Sequence, residues 1–464
     1  MQFSSLKDRS VLLLGLGREG LSTYRWLRAR FPEKVIGLAD RLSLEQIGGE
    51  FAESVAADGR ARLHLGADYL KSLQEYELVV KSPGISVTVP ELKEAAEAGK
   101  RITSHTAIFF ANCPGRIVGI TGTKGKSTTA SLIYAVLQEK FEKTHLVGNI
   151  GRPALDALAE ADAETVFVYE LSSHQLVELR QSPQVAVLLN IVPEHLDYYA
   201  SFEQYADAKE NITRFQTESD VLVYDADGEI PLAMAARSRA RKAGISIEAA
   251  QRPGSYVDGE WIVWCSEAGE SEKVIAAADV PLAGRFNLLN VAAVVAVGKV
   301  MGVESAKIAA AVRRFKPLEH RLELVGTYGG VTYYNDAIAT VPEAAIGALD
   351  ALGERVETML LGGTDRGLNF LTLAKRLTVS KVKTLILFPP TGERIWESVR
   401  AVDAAAEQRF RHFFVRTMEE AVALAKEHTA RGKICLHSPA SPSFGLFRDY
   451  RERGERFKEL VRKK

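Results

Sequence analysis

Short runs of consecutive apolar residues recur along the chain. Each ends in glycine or a polar residue, and most lead into a stretch of helical period. "SVLLLG" at 10–15, "KVIGLAD" at 34–40 and "YELVVK" at 76–81 open the series. "RIVGI" at 116–120, "TVFVYE" at 165–170, "QVAVLLN" at 184–190 and "DVLVYD" at 220–225 continue it. "VTYYND" at 331–336, "VETMLLGG" at 356–363, "VKTLILF" at 382–388 and "KICLHS" at 433–438 complete it. A run that is apolar at every position, not at alternate ones, reads as a strand buried on both faces, the habit of parallel sheets. "GSYVDGEWIVWCSE" at 254–267 instead alternates around Asp258-Gly259 and predicts an antiparallel hairpin. "GRFNLLNVAAVVAVGKVMG" and the charged C-terminal stretch read as helices. Strand and helix in alternation predict three α/β units with mostly parallel sheets. The divisions are expected near "ANCPGR" and "KPLEHR", giving domains 1–112, 113–317 and 318–464. In such sheets ligands gather at the carboxyl ends of strands, so chemistry is sought just after each run.

Composition narrows the field. At 464 residues the chain exceeds one ordinary core. Basic and acidic residues balance at 59 each, so no general pull toward nucleic acid or anionic lipid exists. Neither is expected as a partner. Cys113, Cys265 and Cys435 are far apart, with no zinc spacing and no disulfide framework. That suits a reducing cytoplasm. The apolar run near the start is too short for a signal peptide or a span. A cytoplasmic monomer is expected.

"ITGTKGKSTT" at 120–129 lies between a strand and a helix. The usual phosphate loop, G-x-x-x-x-G-K-[ST], requires glycine at 120, where this chain has Ile120. Gly122, Thr123, Lys124, Gly125, Lys126, Ser127 and Thr128 nevertheless have the required order. Glycines let backbone amides curl around an anion, and the helix start adds its positive end. Lys126 reaches terminal phosphates, and Ser127 or Thr128 is placed for Mg²⁺. A variant phosphate loop is the reading.

A second glycine cluster, Gly15, Gly17 and Gly20, follows the first strand, with Asp40 further on. Alone this is the dinucleotide fingerprint, and a weak one. It says that a diphosphate-bearing ligand approaches a helix start. "SPGIS" at 82–86 ends another strand on the same edge, so one ligand lying across both turns is expected. In the middle segment, Glu170 ends a buried strand and suits Mg²⁺, a hard cation. His195, in "NIVPEHLD", also follows a buried strand. Lys209 alone reads as a solvated helix lysine, and His174 has no assignable partner.

Together these pieces resemble the Mur ligases. "TGTKGKST", "GNIG" at 148–151, "ELSSHQL" at 170–176, "NIVPEHLD" at 190–197 and "AKENIT" at 208–213 match their ATPase domain. "GRFNLLNVAA", "LEHRLE", "YYNDAIAT", "LLGGTDRG" and "HSPASPSFGLFRDYRERGERF" continue the match in order. The family's loop, T-G-T-x-G-K-[ST], lacks the earlier glycine, which accounts for Ile120. The resemblance implies a Rossmann-like N-terminal domain, a P-loop-type central ATPase domain with a mostly parallel sheet, and a Rossmann-like C-terminal domain. "GLGREGLS" and "SPGIS" are similar to members that add glutamate to UDP-N-acetylmuramoyl-L-alanine. ATP and Mg²⁺ are then implied, and so is an acyl-phosphate intermediate.

By the same resemblance, Lys126 polarises the terminal phosphate, with Ser127 and Glu170 near one Mg²⁺. His195 helps hold a second metal, and Lys209 matches a lysine that carries a carbamate. Asn290, Arg321 and Asp336 match ATP-contacting positions. Gly15, Gly17, Arg18 and Glu19 would hold uridine diphosphate together with Ser82, Pro83 and Gly84, while Asp40 and Arg41 lie near the uracil. Asn149 would contact the same substrate. Thr340, Arg366, Ser443, Phe444 and Tyr450 match the glutamate site. Three positions depart from the family pattern. Ile338 replaces a lysine, Arg366 stands where many members have lysine, and "SHTAIFF" at 104–110 lacks acidic residues often found there. They leave open which glutamate isomer is used, since a sister group takes the L form. The competing readings are a folate polyglutamylating ligase, a nucleotide-binding sensor without catalysis and, last, a nicotinamide dehydrogenase.

Overall fold

The computed structural model describes residues 4–86, 88–195 and 198–463. It contains three sheets, mostly parallel. The first comprises β1 (Val11–Leu14), β2 (Ile36–Asp40), β3 (Ala61–Leu65), β4 (Leu78–Lys81) and β5 (Arg101–Ser104), in the order β3-β2-β1-β4-β5. All four pairings are parallel. Alternate residues of β1 feed opposite cores: Val11 and Leu13 join one apolar cluster, Leu12 and Leu14 another. A strand buried on both faces must be apolar throughout, which is why "VLLL" forms one. Chain order reverses between β1 and β4, so the turns after these two strands meet at the switch point of the sheet.

The second sheet holds β6 (Arg116–Thr121), β7 (Thr144–Gly148), β8 (Val166–Glu170), β9 (Val185–Leu188), β10 (Val221–Asp225), β11 (Arg241–Ser246), β12 (Gly254–Asp258), β13 (Trp261–Cys265) and β14 (Ser271–Ala276). Their order is β14-β13-β12-β11-β10-β9-β6-β8-β7. From β7 to β12 the pairings are parallel; β12, β13 and β14 pair antiparallel, as the alternating "GSYVDGEWIVWCSE" requires. The first two sheets share one apolar cluster that runs from Leu6 to Ala240. Phe109, on the helix His105–Asn112, sets its ring 4.9 Å from Phe167 and 5.3 Å from Tyr169 of β8. Residues 1–280 and 288–315 accordingly form one compact unit.

The other unit, 281–287 with 316–464, carries the third sheet. Its strands are β15 (Glu323–Tyr328), β16 (Val331–Asn335), β17 (Val356–Gly362), β18 (Thr384–Phe388), β19 (Arg411–Phe414) and β20 (Ile434–His437), ordered β15-β16-β20-β17-β18-β19. Only β15 is antiparallel to its neighbour. Separate apolar clusters cover its two faces. Cys265 and Cys435 are buried and Cys113 half-buried, and all three are free thiols. Burial pushes the Cys113 thiol up to about 11 and raises that of Cys435 as well. Among the described residues no helix is long and apolar enough to cross a membrane.

Candidate active site

β6 runs into a turn that opens the helix Lys126–Leu137. Gly122 has φ +154° and Gly125 φ +87°. A Cβ on Gly122 would lie 2.6 Å from Cβ of Leu189, and one on Gly125 would lie 2.4 Å from Oδ1 of Asn290. Both glycines are therefore dictated by conformation and by space. Asn190, at the end of β9, braces the turn: its carbonyl accepts from Thr123 N at 2.7 Å and its Oδ1 from Lys124 N at 3.1 Å. Gly125 is the helix N-cap, and no side chain caps it. No cap side chain then competes for the first amides of the helix, the groups that can bind an anion. Lys126 folds back over the turn, donating from Nζ to the carbonyls of Gly122 (2.9 Å) and Thr123 (2.8 Å). Ser127 is half-buried and Thr128 buried beside it.

A buried acid and a buried lysine lie under this turn. Glu170, the last residue of β8, is fully buried. Its Oε1 accepts from Asn149 Nδ2 at 3.0 Å, while among the described residues its Oε2 has no hydrogen-bond partner. An unpaired carboxylate oxygen in the interior calls for an explanation, and a hard cation is one group it can bind. Lys209 sits on the helix Phe202–Arg214 and is 1% exposed, so the solvated lysine read from the sequence alone is corrected. That helix presents Tyr205, Ala208, Lys209 and Ile212 to the core, and the lysine falls on its inner face. Nζ donates to Gly122 O at 2.8 Å and to Thr121 Oγ1 at 3.3 Å, and lies 4.9 Å from the Tyr205 ring centre. Burial, with Lys126 nearby, holds its amine well below the ordinary lysine range; Glu194 and Glu170 oppose the shift.

His195 adopts φ +58°, and its carbonyl accepts from the amides of Tyr198 and Tyr199. His174, unassigned in the sequence, sets its ring 5.0 Å from that of His195 and 4.2 Å from that of Tyr198. Glu194 pairs with Lys124 at 2.6 Å. Burial alone would raise the Glu194 carboxyl, but Lys124, Lys126 and His195 hold it below the usual range. Nothing in the sequence singled out Glu194 or Asn190 beyond their place after strand ends.

In the first sheet, Gly15 has φ +91°, and a Cβ there would lie 2.6 Å from Ser82 Cβ. The turns after β1 and β4 therefore touch. Asp40, at the end of β2, braces the first of them: its Oδ2 accepts from Leu16 N at 2.8 Å, while its Oδ1 accepts from Leu42 N at 3.0 Å in the turn after its own strand. Gly17 starts the helix Arg18–Arg30 with no side-chain cap. Arg18 donates to Gly151 O, and Glu19 Oε1 accepts from Gln175 Nε2 at 2.7 Å. Burial raises the Glu19 carboxyl, against Gln175, Arg18 and Lys81. Arg41 is exposed, and Ser82, Pro83 and Gly84 line the second turn.

In the unit 281–287 with 316–464, Asp336 follows β16 and is buried. Its Oδ1 accepts from Leu322 N at 3.0 Å and its Oδ2 from Ser438 Oγ at 2.7 Å. Burial pushes its carboxyl up to about 6, although both hydrogen bonds and Arg321 pull the other way. Nε of Arg321 is buried and has no hydrogen-bond partner among the described residues. The Arg366 guanidinium stands 5.5 Å over the Phe444 ring, which is half exposed at 53%. Thr364 Oγ1 donates to Phe444 O, and the buried Ser443 accepts from Phe447 N at 3.1 Å. Tyr450 opens the last helix, its ring 5.8 Å from His320. Thr340 and Ile338 lie half-buried before the helix Pro342–Leu352. Arg366, Ser443 and Phe444 thus come together, and Tyr450 stands with His320. Among the described residues Thr340 has no hydrogen bond to any of them.

Comparison with known proteins places this geometry. Residues 9–104 match the MurD-like N-terminal domain of Mur ligases, 120–298 the Mur ligase middle domain and 320–441 the Mur ligase glutamate ligase domain. A UDP-N-acetylmuramoylalanine–D-glutamate ligase of Symbiobacterium thermophilum is 36% identical over 98% of this chain and 98% of its own. The chain belongs to the Mur ligase family. Another relative, the UDP-N-acetylmuramoyl-L-alanine–L-glutamate ligase of Xanthomonas axonopodis pv. citri, is 34% identical over 99% of this chain and 97% of its own. Two solved structures share the fold. UDP-N-acetylmuramate-alanine ligase MurC of Thermotoga maritima has a TM-score of 0.61 at 16% identity, covering 97% of this chain and 99% of that one. MurF of Acinetobacter baumannii has a TM-score of 0.60 at 14% identity, covering 98% of this chain and 93% of that one. In this Mur ligase Asn190, Glu194 and His174 join Lys126, Glu170 and Lys209 around the phosphate turn.

Proposed function

We propose that the protein is an ATP-dependent ligase that joins D-glutamate to UDP-N-acetylmuramoyl-L-alanine in cytoplasmic peptidoglycan precursor synthesis. The observation that carries this reading is the buried group under the phosphate turn: Lys126 over the loop carbonyls, Lys209 beside them, and Glu170 with one oxygen unpartnered. The D-glutamate ligases named among the relatives support the choice of isomer.

A carboxylate is a poor acyl donor because its leaving group is oxide. Its oxygen attacks the terminal phosphorus of ATP, ADP departs, and an acyl phosphate remains. The glutamate amine then attacks the acyl carbon, phosphate leaves, and the amide forms. Lys126 and the first amides of its helix hold the charge that builds on the transferring phosphoryl group. No enzyme nucleophile is required. The buried Oε2 of Glu170 is a hard donor that fits Mg²⁺; Glu170 and Ser127 would hold one ion, His195 would help hold a second, and a carbamylated Lys209 would face the metals. Mg²⁺ bound there supplies charge neutralisation at the phosphates. Carbamylation suits Lys209 because its depressed basicity favours the neutral amine, the form that adds CO₂. Asn290, Arg321 and Asp336 are assigned to ATP. Gly15, Gly17 and Ser82–Gly84 are assigned to the diphosphate, and Arg366, Ser443, Phe444 and Tyr450 to glutamate. The divisions 1–112, 113–317 and 318–464 are retained as functional domains.

L-glutamate is the second reading, favoured by the L-glutamate relative and by the guanidinium of Arg366, whose planar fork suits a carboxylate. The deciding experiment supplies ATP, Mg²⁺ and UDP-N-acetylmuramoyl-L-alanine with D- or L-glutamate separately and weighs the product. Product from the L isomer alone overturns the first reading, and product from neither overturns both.

A further inference from the structure

Two buried polar links tie the elements of the first sheet to those of the second, and no step of the reaction above uses either. The first is His105, 2% exposed, which follows β5 at the start of its helix. The amide of Leu155 lies 3.3 Å from Nε2, and an amide can only donate. The ring therefore carries its proton on Nδ1 and gives it to Thr23 Oγ1 at 2.9 Å. The hydroxyl of Thr23 donates in turn to Glu19 O at 2.7 Å, in the first turn of the helix that leaves the glycine cluster. Every link has one direction, so the chain of bonds has one geometry. Burial holds the imidazole down at about 3, so it remains neutral and this pattern persists at working pH.

The second link is Lys81, whose side chain is wholly buried. Its three N–H groups meet three acceptors: Ile85 O at 2.7 Å, Ser82 O at 3.3 Å and Glu178 Oε2 at 2.9 Å. The ammonium draws in the carbonyls of the "SPGIS" turn and anchors that turn to a residue beyond β8. The turns after β1 and β4 touch at Gly15 and Ser82, so each link steadies the whole cradle.

We propose that His105 and the Lys81–Glu178 pair are positioning residues that lock the two-turn cradle to the central sheet. They thereby set the span that a nucleotide-linked substrate must bridge between its diphosphate and its reacting carboxyl. This rests on the ligase reading. A substrate lacking the alanyl residue places its carboxyl about 3.5 Å short of the mark. A fixed cradle rejects that substrate; a loosened one forgives it.

The test compares the parent with Lys81→Met, His105→Phe and the conservative Lys81→Arg. UDP-N-acetylmuramoyl-L-alanine and UDP-N-acetylmuramate are offered as acyl donors, and KM for ATP is read in parallel. Loss of a charged hydrogen bond at the turn should raise KM for the nucleotide sugar about tenfold. The preference for the alanylated donor should narrow by a similar factor, KM for ATP should move less than about twofold, and Lys81→Arg should recover most of the loss. Folded variants that keep both the parental KM and the parental preference overturn the proposal, as do variants in which KM for ATP rises equally. If Lys81→Met does not fold, Glu178→Gln breaks the same ion pair from its half-buried end and should shift both quantities the same way. Calorimetry with uridine diphosphate separates the two readings. A parent that binds it without ligating sinks the ligase, while an unchanged affinity in Lys81→Met and His105→Phe sinks the links.

Discussion

Lys126 crosses the phosphate turn with its ammonium on two loop carbonyls, where an incoming phosphate would meet it. Lys126→Ala should lower turnover about 10³-fold, the scale for removing one preorganised charge-stabilising donor, with an unchanged thermal melt. Steady-state phosphate release checks it. Lys209→Ala should also abolish turnover, and short carboxylates such as acetate should restore part of it by filling the vacated volume with an oxygen donor. Lack of rescue across a carboxylate series argues against the carbamate. Asp336 makes a pH prediction. Its folded carboxyl lies at about 6 against a reference of 3.8, so the folded state favours the protonated form. Its contribution is present below pH 3.8 and is lost as pH rises through about 6. Asp336→Asn, which keeps an acceptor for Leu322 N, should gain on the parent by about 3 kcal/mol between pH 4 and 7 in urea melts. Single residues were the least legible scale. The phosphate lysine announced itself by its glycines. Lys209 did not, because a helix lysine looks the same whether its face turns in or out. Glu194 and His174 acquire meaning only when residues 190–195 fold back on the turn, where Asn190 and Val192 bond Thr123.

The elements that place these residues were largely readable. β1, β4, β6, β8, β9, β10, β17, β18 and β20 are interior strands, and each centres on a run of consecutive apolar residues buried on both faces. β3, β5, β7, β14, β15 and β19 lie at sheet edges, where one side lacks a neighbour and polar residues intrude, as in "ARLHL" at 61–65. Such strands carry no continuous apolar run, which is why the pattern passes over them. At the phosphate helix, Gly125 combines φ +87° with contact against Asn290. Gly125→Ala should destabilise by about 1–2 kcal/mol for the left-handed backbone alone. It should also weaken ATP binding, since the first helix amides shift with it. Differential scanning calorimetry with and without nucleotide separates the two losses.

For the whole molecule, three sheets do not mean three independent folding units. The cluster from Leu6 to Ala240 joins the first two sheets, with Ile108 and Phe109 fully buried in it. The sequence pattern cannot show this, because a buried phenylalanine reads alike whichever sheet it covers. A fragment 1–112 should therefore lack a cooperative melt, having lost the partners of those side chains, whereas 316–464 keeps both clusters of its own sheet and should melt cooperatively. Near-ultraviolet circular dichroism of the two fragments checks this. The free thiols add a practical consequence. Two are enclosed and the third is held protonated far above neutrality. An alkylating reagent at pH 7 is therefore nearly blind to the native chain and modifies it only when it opens. Mass shifts at Cys113, Cys265 and Cys435 then time the opening of three separate places with no engineered label.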